Sequence, residues 1–120
     1  MITQGGSIIN LSWGLALRGM EGRNPEMFAA VKVGITGYTR LLASSLAPRN
    51  RVNEIAPGWI EKSCAESKMD KNYRESIFRS TPLRRFGQPE DVASPAVYLA
   101  SDESSFVTGQ TIAVNGGLSS

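Results

Sequence analysis

The fold of this chain depends on residues 5–12, which read Gly-Gly-Ser-Ile-Ile-Asn-Leu-Ser. Two turn-forming glycines precede a short run rich in large apolar side chains. Such a run, bounded by turn residues, is typical of a buried strand. We therefore predict a strand over residues 7–12. The three glycines, asparagine and proline of residues 14–25 predict a loop after it.

A long helical pattern follows this loop, over residues 26–47. Large side chains recur there at steps of three or four, which places them along one side of a helix. These residues are Met27, Val31, Ile35, Tyr38, Leu42 and Leu46. We expect Tyr38 to belong to the core. Residues 51–56 predict a second strand, which the turn pair Pro57-Gly58 ends.

The rest of the chain predicts two helices and a third strand. Residues 59–88 are mixed and polar, and we expect a mobile lobe there with one short helix at residues 71–79. Pro89, followed by two acidic residues, is typical of a helix start. Residues 110–114 then predict the last strand.

Strands that alternate with helices predict an α/β fold. We expect one domain over residues 1–120, with a parallel sheet of about three strands and flanking helices. A parallel sheet with so few strands leaves an unpaired strand edge unless something covers it. The pattern therefore resembles part of a larger sheet.

Composition excludes several functional classes. A net charge of +2, from 13 basic and 11 acidic residues, gives no electrostatic case for binding nucleic acid or an anionic membrane. No stretch approaches the roughly 18 apolar residues that a membrane span needs. The single cysteine, Cys64, allows no intrachain disulfide, and we expect a cytoplasmic location. The absence of histidine argues against a metal site and a Ser-His-Asp hydrolase.

Several phrases in a fixed order resemble one protein family, the short-chain dehydrogenase/reductases. They are residues 6–12, a helix with an early lysine, Arg51-Val52-Asn53 before Pro57-Gly58, residues 82–92, residues 106–110 and Asn115-Gly116-Gly117. The resemblance spans nearly the whole chain. It implies that the three strands match the last three of a seven-stranded Rossmann sheet, with NAD or NADP across their carboxyl ends.

The resemblance also implies a catalytic set, from which this sequence departs. The family places a tyrosine four residues before a lysine on the long helix, so that both side chains share one helix face. The lysine lowers the pKa of the phenol, which then acts as acid or base. Lys32 matches the lysine, but Phe28 stands at the tyrosine position. Trp13 stands where the family has its catalytic serine, next to Ser12.

The cofactor-binding residues that the resemblance implies are Lys32, Pro57, Gly58 and Ile60. Ile60 would supply main-chain hydrogen bonds to the nicotinamide amide, while Lys62 replaces a threonine that usually follows. The family's glycine-rich phosphate loop belongs to its first half. The glycines within residues 14–22 do not have its spacing. We therefore expect no cofactor to bind this chain alone.

These residues leave three interpretations open. The first is a non-catalytic, self-associating module, since the helices and strand that resemble the family's assembly surfaces are present. The second is an NAD(P)-dependent oxidoreductase of alcohols or carbonyls, completed by another chain or a longer gene product. The third is a fragment without a selected function. The partners expected are a second copy or a complete relative.

Overall fold

The computed structural model describes residues 5–13, 25–61 and 70–118. Most of the predicted loop at residues 14–25 lies outside the described residues. So does part of the lobe predicted at residues 59–88, including Lys62 and Cys64.

The described residues form three strands and three α-helices, with a short 3-10 turn before the last strand. In chain order these are β1 (Ser7–Leu11), α1 (Pro25–Leu46), β2 (Arg51–Pro57), α2 (Lys71–Ser80), α3 (Pro89–Ala100), the turn Asp102–Ser104 and β3 (Thr111–Val114). Each predicted strand and helix is present, and the predicted ends differ from these by a single residue. The predicted α/β fold is confirmed. No helix in the described ranges is long and apolar enough to cross a bilayer.

The sheet is parallel and has the order β1-β2-β3. Ser7 pairs with Arg51 at one end of the β1–β2 ladder, and Glu54 pairs with Thr111 where β3 joins. The central strand forms the core, because its residues 52–56 are all buried. Within the described residues β1 pairs only with β2, so its other side is an open edge.

Helices α1 and α3 cover opposite faces of this sheet. Successive side chains of a strand point to alternate faces. The Asn10 amide donates to the Thr39 hydroxyl of α1 at 3.0 Å. The Ser7 hydroxyl, which faces the other way, donates to the Leu99 carbonyl of α3 at 2.6 Å. The chain is thus layered as helix, sheet, helix.

The apolar stripe predicted on α1 is only partly buried. Small side chains face the sheet instead, since Thr39 is 0% exposed and Ala43 is 4% exposed. Tyr38 is 61% exposed, so its predicted place in the core is wrong. The helix packs closely on the sheet through small residues, and this turns Tyr38, Val31 and Met27 toward the outside.

Two of the phrases that carry the family resemblance pack against each other. The Leu83 amide donates to the Gly116 carbonyl at 3.0 Å. Gly116 has a φ of +63°, and a Cβ there would lie 2.8 Å from Thr81 Cγ2. Gly117 has a φ of +88°, and a Cβ would lie 3.0 Å from Pro82 Cγ. Glycine fits both conditions, which explains why the glycine pair and residues 81–83 occur together.

Candidate functional site

Helix α1 places Phe28 and Lys32 one turn apart on the same side. The Lys32 Nζ lies 5.6 Å from the centroid of the Phe28 ring, within the range of a cation–π contact. A phenyl ring offers its face to the ammonium but has no proton to exchange. The lysine therefore contacts the residue at the predicted tyrosine position, and that residue has no acid–base function.

Trp13 and Ser12, which follow β1, make different contacts. Ser12 is buried, its amide donates to the Ile55 carbonyl at 3.0 Å, and its hydroxyl donates to the Glu54 carboxylate. Trp13 packs edge-on against Phe28, with the ring centroids 5.6 Å apart. The two positions that the resemblance assigns to the catalytic serine and tyrosine thus lie together, and both carry apolar rings.

The contact between Trp13 and Phe28 is part of a longer row of rings. Trp59 lies 5.6 Å from Trp13, and Tyr73 of α2 lies 6.1 Å from Trp59, both edge-to-face. We call Phe28, Trp13, Trp59 and Tyr73 the aromatic cluster. Each edge-to-face pair contributes about 0.5–1.5 kcal/mol beyond its buried area. The cluster links α1 to α2 across the carboxyl ends of β1 and β2.

Sequence reasoning missed the parts of this cluster that Trp59 and Tyr73 supply. Trp59 directly follows Pro57-Gly58, and this position was a signal that its ring lies at the strand ends. Tyr73 had no local signal, because its contact with Trp59 joins two positions that are far apart in the sequence.

The predicted cofactor-contact turn at Pro57 and Gly58 is held against β3. The Gly58 amide donates to the Val114 carbonyl at 2.9 Å. A Cβ on Gly58 would lie 2.9 Å from Asn115 Cβ, so this close approach requires glycine. Ile60 pairs with Gly87 in an isolated parallel bridge. The turn therefore has a structural role, and its contact with a cofactor stays a prediction.

Glu54 is a buried carboxylate that sequence reasoning did not single out. It is 0% exposed and lies in the central strand. The hydroxyls of Thr36 and Thr111 each donate to it at 2.9 Å, and Ser12 donates as well. Buried charges in proteins are normally paired or hydrogen-bonded. Glu54 thus joins β1, α1 and β3 through hydroxyl groups.

A second carboxylate, Glu61, fixes the position of α2. Arg74 donates to Glu61 at 2.7 Å, and the Gln88 amide donates at 2.9 Å. The hydrogen bond from Arg74, followed by that from Gln88, holds the pKa of Glu61 below its usual value. The Arg74 guanidinium also lies 4.4 Å from the centroid of the Phe86 ring. Glu61 therefore connects α2 to the start of α3.

The described side chains do not by themselves fit a dinucleotide cofactor. The group that should accompany Lys32 is a ring without a hydroxyl. No glycine-rich turn links a strand to a helix N-terminus within residues 5–13, 25–61 and 70–118, and such a turn is what holds a pyrophosphate. The same ranges hold no group of three metal-ligating side chains.

Comparison with known proteins gives the family. A family model described as enoyl-(acyl carrier protein) reductase matches residues 1–119. The chain is 48% identical, over 114 residues, to a 3-oxoacyl-[acyl-carrier-protein] reductase of Thermotoga maritima. That match covers 94% of this chain and 45% of the relative. The chain belongs to the short-chain dehydrogenase/reductase family, and it spans about half the length of the curated relatives that it matches.

Solved structures agree with this assignment. A protein from Sinorhizobium meliloti that is described as a short-chain alcohol dehydrogenase aligns with a TM-score of 0.85 and 35% identity, over 97% of this chain and 46% of that one. A protein from Beutenbergia cavernae that is described as a gluconate 5-dehydrogenase, solved with NADP bound at low occupancy, aligns with a TM-score of 0.84 and 39% identity. This alignment covers 95% of the present chain and 46% of the other.

Proposed function

We propose that this chain is a non-catalytic, self-associating member of its family. The observation that carries the proposal is the contact between Phe28 and Trp13, whose rings lie 5.6 Å apart. Loss of a general acid or base typically lowers a rate by about 10²- to 10⁴-fold. In this chain aromatic rings stand at the two positions where the family carries its reacting hydroxyls, and these rings pack on each other.

The second part of the proposal is self-association, for which the chain offers two surfaces. One is the exposed stripe of α1, formed by Met27, Val31, Tyr38 and Leu41. The other is the open edge of β1, which carries no lysine or proline within residues 7–12 to discourage pairing with another strand. We favour a homodimer or larger species, with a complete relative as the alternative partner.

Binding of the cofactor tests the first part. Calorimetric titration of this chain with NADH and NADPH should give no heat of binding at concentrations up to the millimolar range. A micromolar dissociation constant for either would contradict the proposal. If such binding is observed, Lys32→Ala is the matched variant, because only binding at the predicted cofactor site would lose affinity with it.

The second candidate function is an NAD(P)-dependent oxidoreductase of an alcohol or carbonyl, completed by another chain or a longer gene product. It is favoured by Lys32 and by the turn at Pro57 and Gly58. Mixing this chain with the N-terminal half of the Thermotoga maritima relative separates the two candidates. Turnover by the mixture would support the oxidoreductase, whereas a folded but inactive complex supports the non-catalytic proposal. A cytoplasmic location stays a prediction from the single cysteine.

A further inference from the structure

The open edge of β1 exposes the backbone groups of every second residue. In the parallel ladder with β2, the Ser12 amide donates to the Ile55 carbonyl and the Arg51 amide donates to the Gly6 carbonyl, both at 3.0 Å. The backbone groups of a strand alternate in direction, so the even-numbered residues of β1 bond to β2. The odd-numbered residues therefore direct their N–H and C=O groups toward the open edge. These residues are Ser7, Ile9 and Leu11.

The apolar side chains at this edge are only partly covered. Ile8 is 37% exposed on the α1 face of the sheet, and Leu11 is 51% exposed on the α3 face. In a parallel sheet both faces of a strand are normally buried. Residues 5–13 include no charged side chain, and they contain neither lysine nor proline. Nothing in the strand itself therefore opposes the approach of a second strand.

The open edge is complementary to itself in an antiparallel arrangement. When Ile9 lies opposite Ile9 of a second copy, Ser7 of each copy lies opposite Leu11 of the other. In each of these pairs the two residues exchange both backbone hydrogen bonds, so every outward-pointing group of the strand has a partner. A parallel pairing lacks this symmetry, because it places an outward-pointing residue opposite one that bonds to β2. The edge therefore fits a second copy of itself.

The helix layers are compatible with this arrangement. A two-fold axis perpendicular to the sheet relates the two strands, so both copies of α1 lie on one face and both copies of α3 lie on the other. The two three-stranded sheets then form one continuous sheet. We propose that two copies of this chain associate by antiparallel pairing of β1, centred on Ile9. This pairing rests on the self-association proposed above, and it uses a surface other than the exposed stripe of α1.

Amide hydrogen exchange of the Leu41→Glu chain tests this pairing apart from the contact through the α1 stripe. With a dissociation constant of about 100 µM, exchange at the three outward-pointing amides should slow about fivefold between roughly 20 µM and roughly 1 mM protein. The amides of the even-numbered residues, which bond to β2, should exchange slowly at both concentrations.

The outcomes separate this pairing from the wider proposal of self-association. If the unmodified chain self-associates while its outward-pointing amides exchange at a constant rate, the β1 pairing is wrong and the proposed self-association stands. A monomeric unmodified chain contradicts both. Slowing that requires the complete Thermotoga maritima relative, rather than a second copy of this chain, would also overturn the pairing.

Proline substitution at the open edge separates the pairing from the fold. Ile9→Pro removes an outward-pointing N–H but no hydrogen bond to β2, and edge strands tolerate proline on that condition. It should abolish the slowing at Ser7 and Leu11, whereas the control Ile8→Ala, which keeps every outward-pointing N–H, should retain it. If Ile9→Pro does not fold, Ser7→Pro at the first residue of the strand should weaken the slowing instead. Slowing retained in the folded proline variant, or lost equally in Ile8→Ala, would contradict the pairing.

Discussion

Leu41→Glu should dissociate the homodimer expected from the exposed stripe of α1. Leu41 is 74% exposed, and Met27, Val31 and Tyr38 are each about two-thirds exposed. Complete burial of such a side chain stabilises by about 2 kcal/mol, so covering the stripe yields about 5 kcal/mol per copy and about 10 kcal/mol in a symmetric dimer. The lower end of the cost of association, about 4 kcal/mol, leaves about 6 kcal/mol, which corresponds to a dissociation constant of tens of micromolar.

The same burial energies give the loss of dimer affinity expected for Leu41→Glu. The variant loses about 1.5 kcal/mol of burial per copy and about 3 kcal/mol per dimer, which weakens association more than a hundredfold. Repulsion between the new carboxylates adds to this loss.

Light scattering and sedimentation across a dilution series measure the effect. Ser44→Glu, which adds the same charge at an exposed position of α1 outside the stripe, is the control and should remain dimeric. Ile9→Lys tests the open edge of β1 as the alternative contact. A monomeric unmodified chain at tens of micromolar would refute the expected self-association, and equal effects of Leu41→Glu and Ser44→Glu would refute the stripe as its surface.

Three further predictions concern stability. Glu54→Ala should lower the free energy of unfolding by about 2–4 kcal/mol in urea titrations, because the buried Ser12 hydroxyl and the half-buried Thr36 hydroxyl lose their acceptor; a stabilised variant would contradict this. The pKa of Glu61 is lowered by the hydrogen bond from Arg74, so its contribution to the free energy of unfolding is present above its unfolded pKa and is lost as the pH falls through its folded pKa. Glu61→Gln should therefore flatten the acid limb of a stability–pH curve. Leu99→Ala should cost about 2–5 kcal/mol, and a loss below about 1 kcal/mol would mean that α3 is not docked as described.

The strands and helices were predictable because their signals are local. Residues 7–12 and 51–56 are short apolar runs bounded by glycine or proline, and Pro89 with its acidic neighbours begins α3. The side of α1 that faces the sheet was not predictable in the same way. Periodicity locates an apolar stripe but does not say what covers it. The exposure of Tyr38 could therefore not be inferred from the pattern.

The candidate site was only partly predictable. The spacing of Phe28 and Lys32 on one helix face is a local property, and their contact agrees with it. The position of Trp59 directly after Pro57-Gly58 places its ring at the strand ends, but its contact with Tyr73 depends on how separate segments meet, and sequence spacing carries no information on this contact. Glu54 was missed because a lone acidic residue in an apolar run normally signals an exposed position, whereas here three hydroxyls satisfy it.

Turnover by the Phe28→Tyr variant tests the central claim most directly. The restored phenol would contact Lys32, but Trp13 would still stand in place of the serine, and neither substitution supplies a phosphate-binding loop. The absorbance of NADH and NADPH over a panel of alcohols and ketones should therefore stay unchanged for the unmodified chain, for Phe28→Tyr and for Phe28→Tyr combined with Trp13→Ser. Clear turnover by the unmodified chain or by Phe28→Tyr alone would contradict the account, because it would show that the aromatic cluster leaves a working active site.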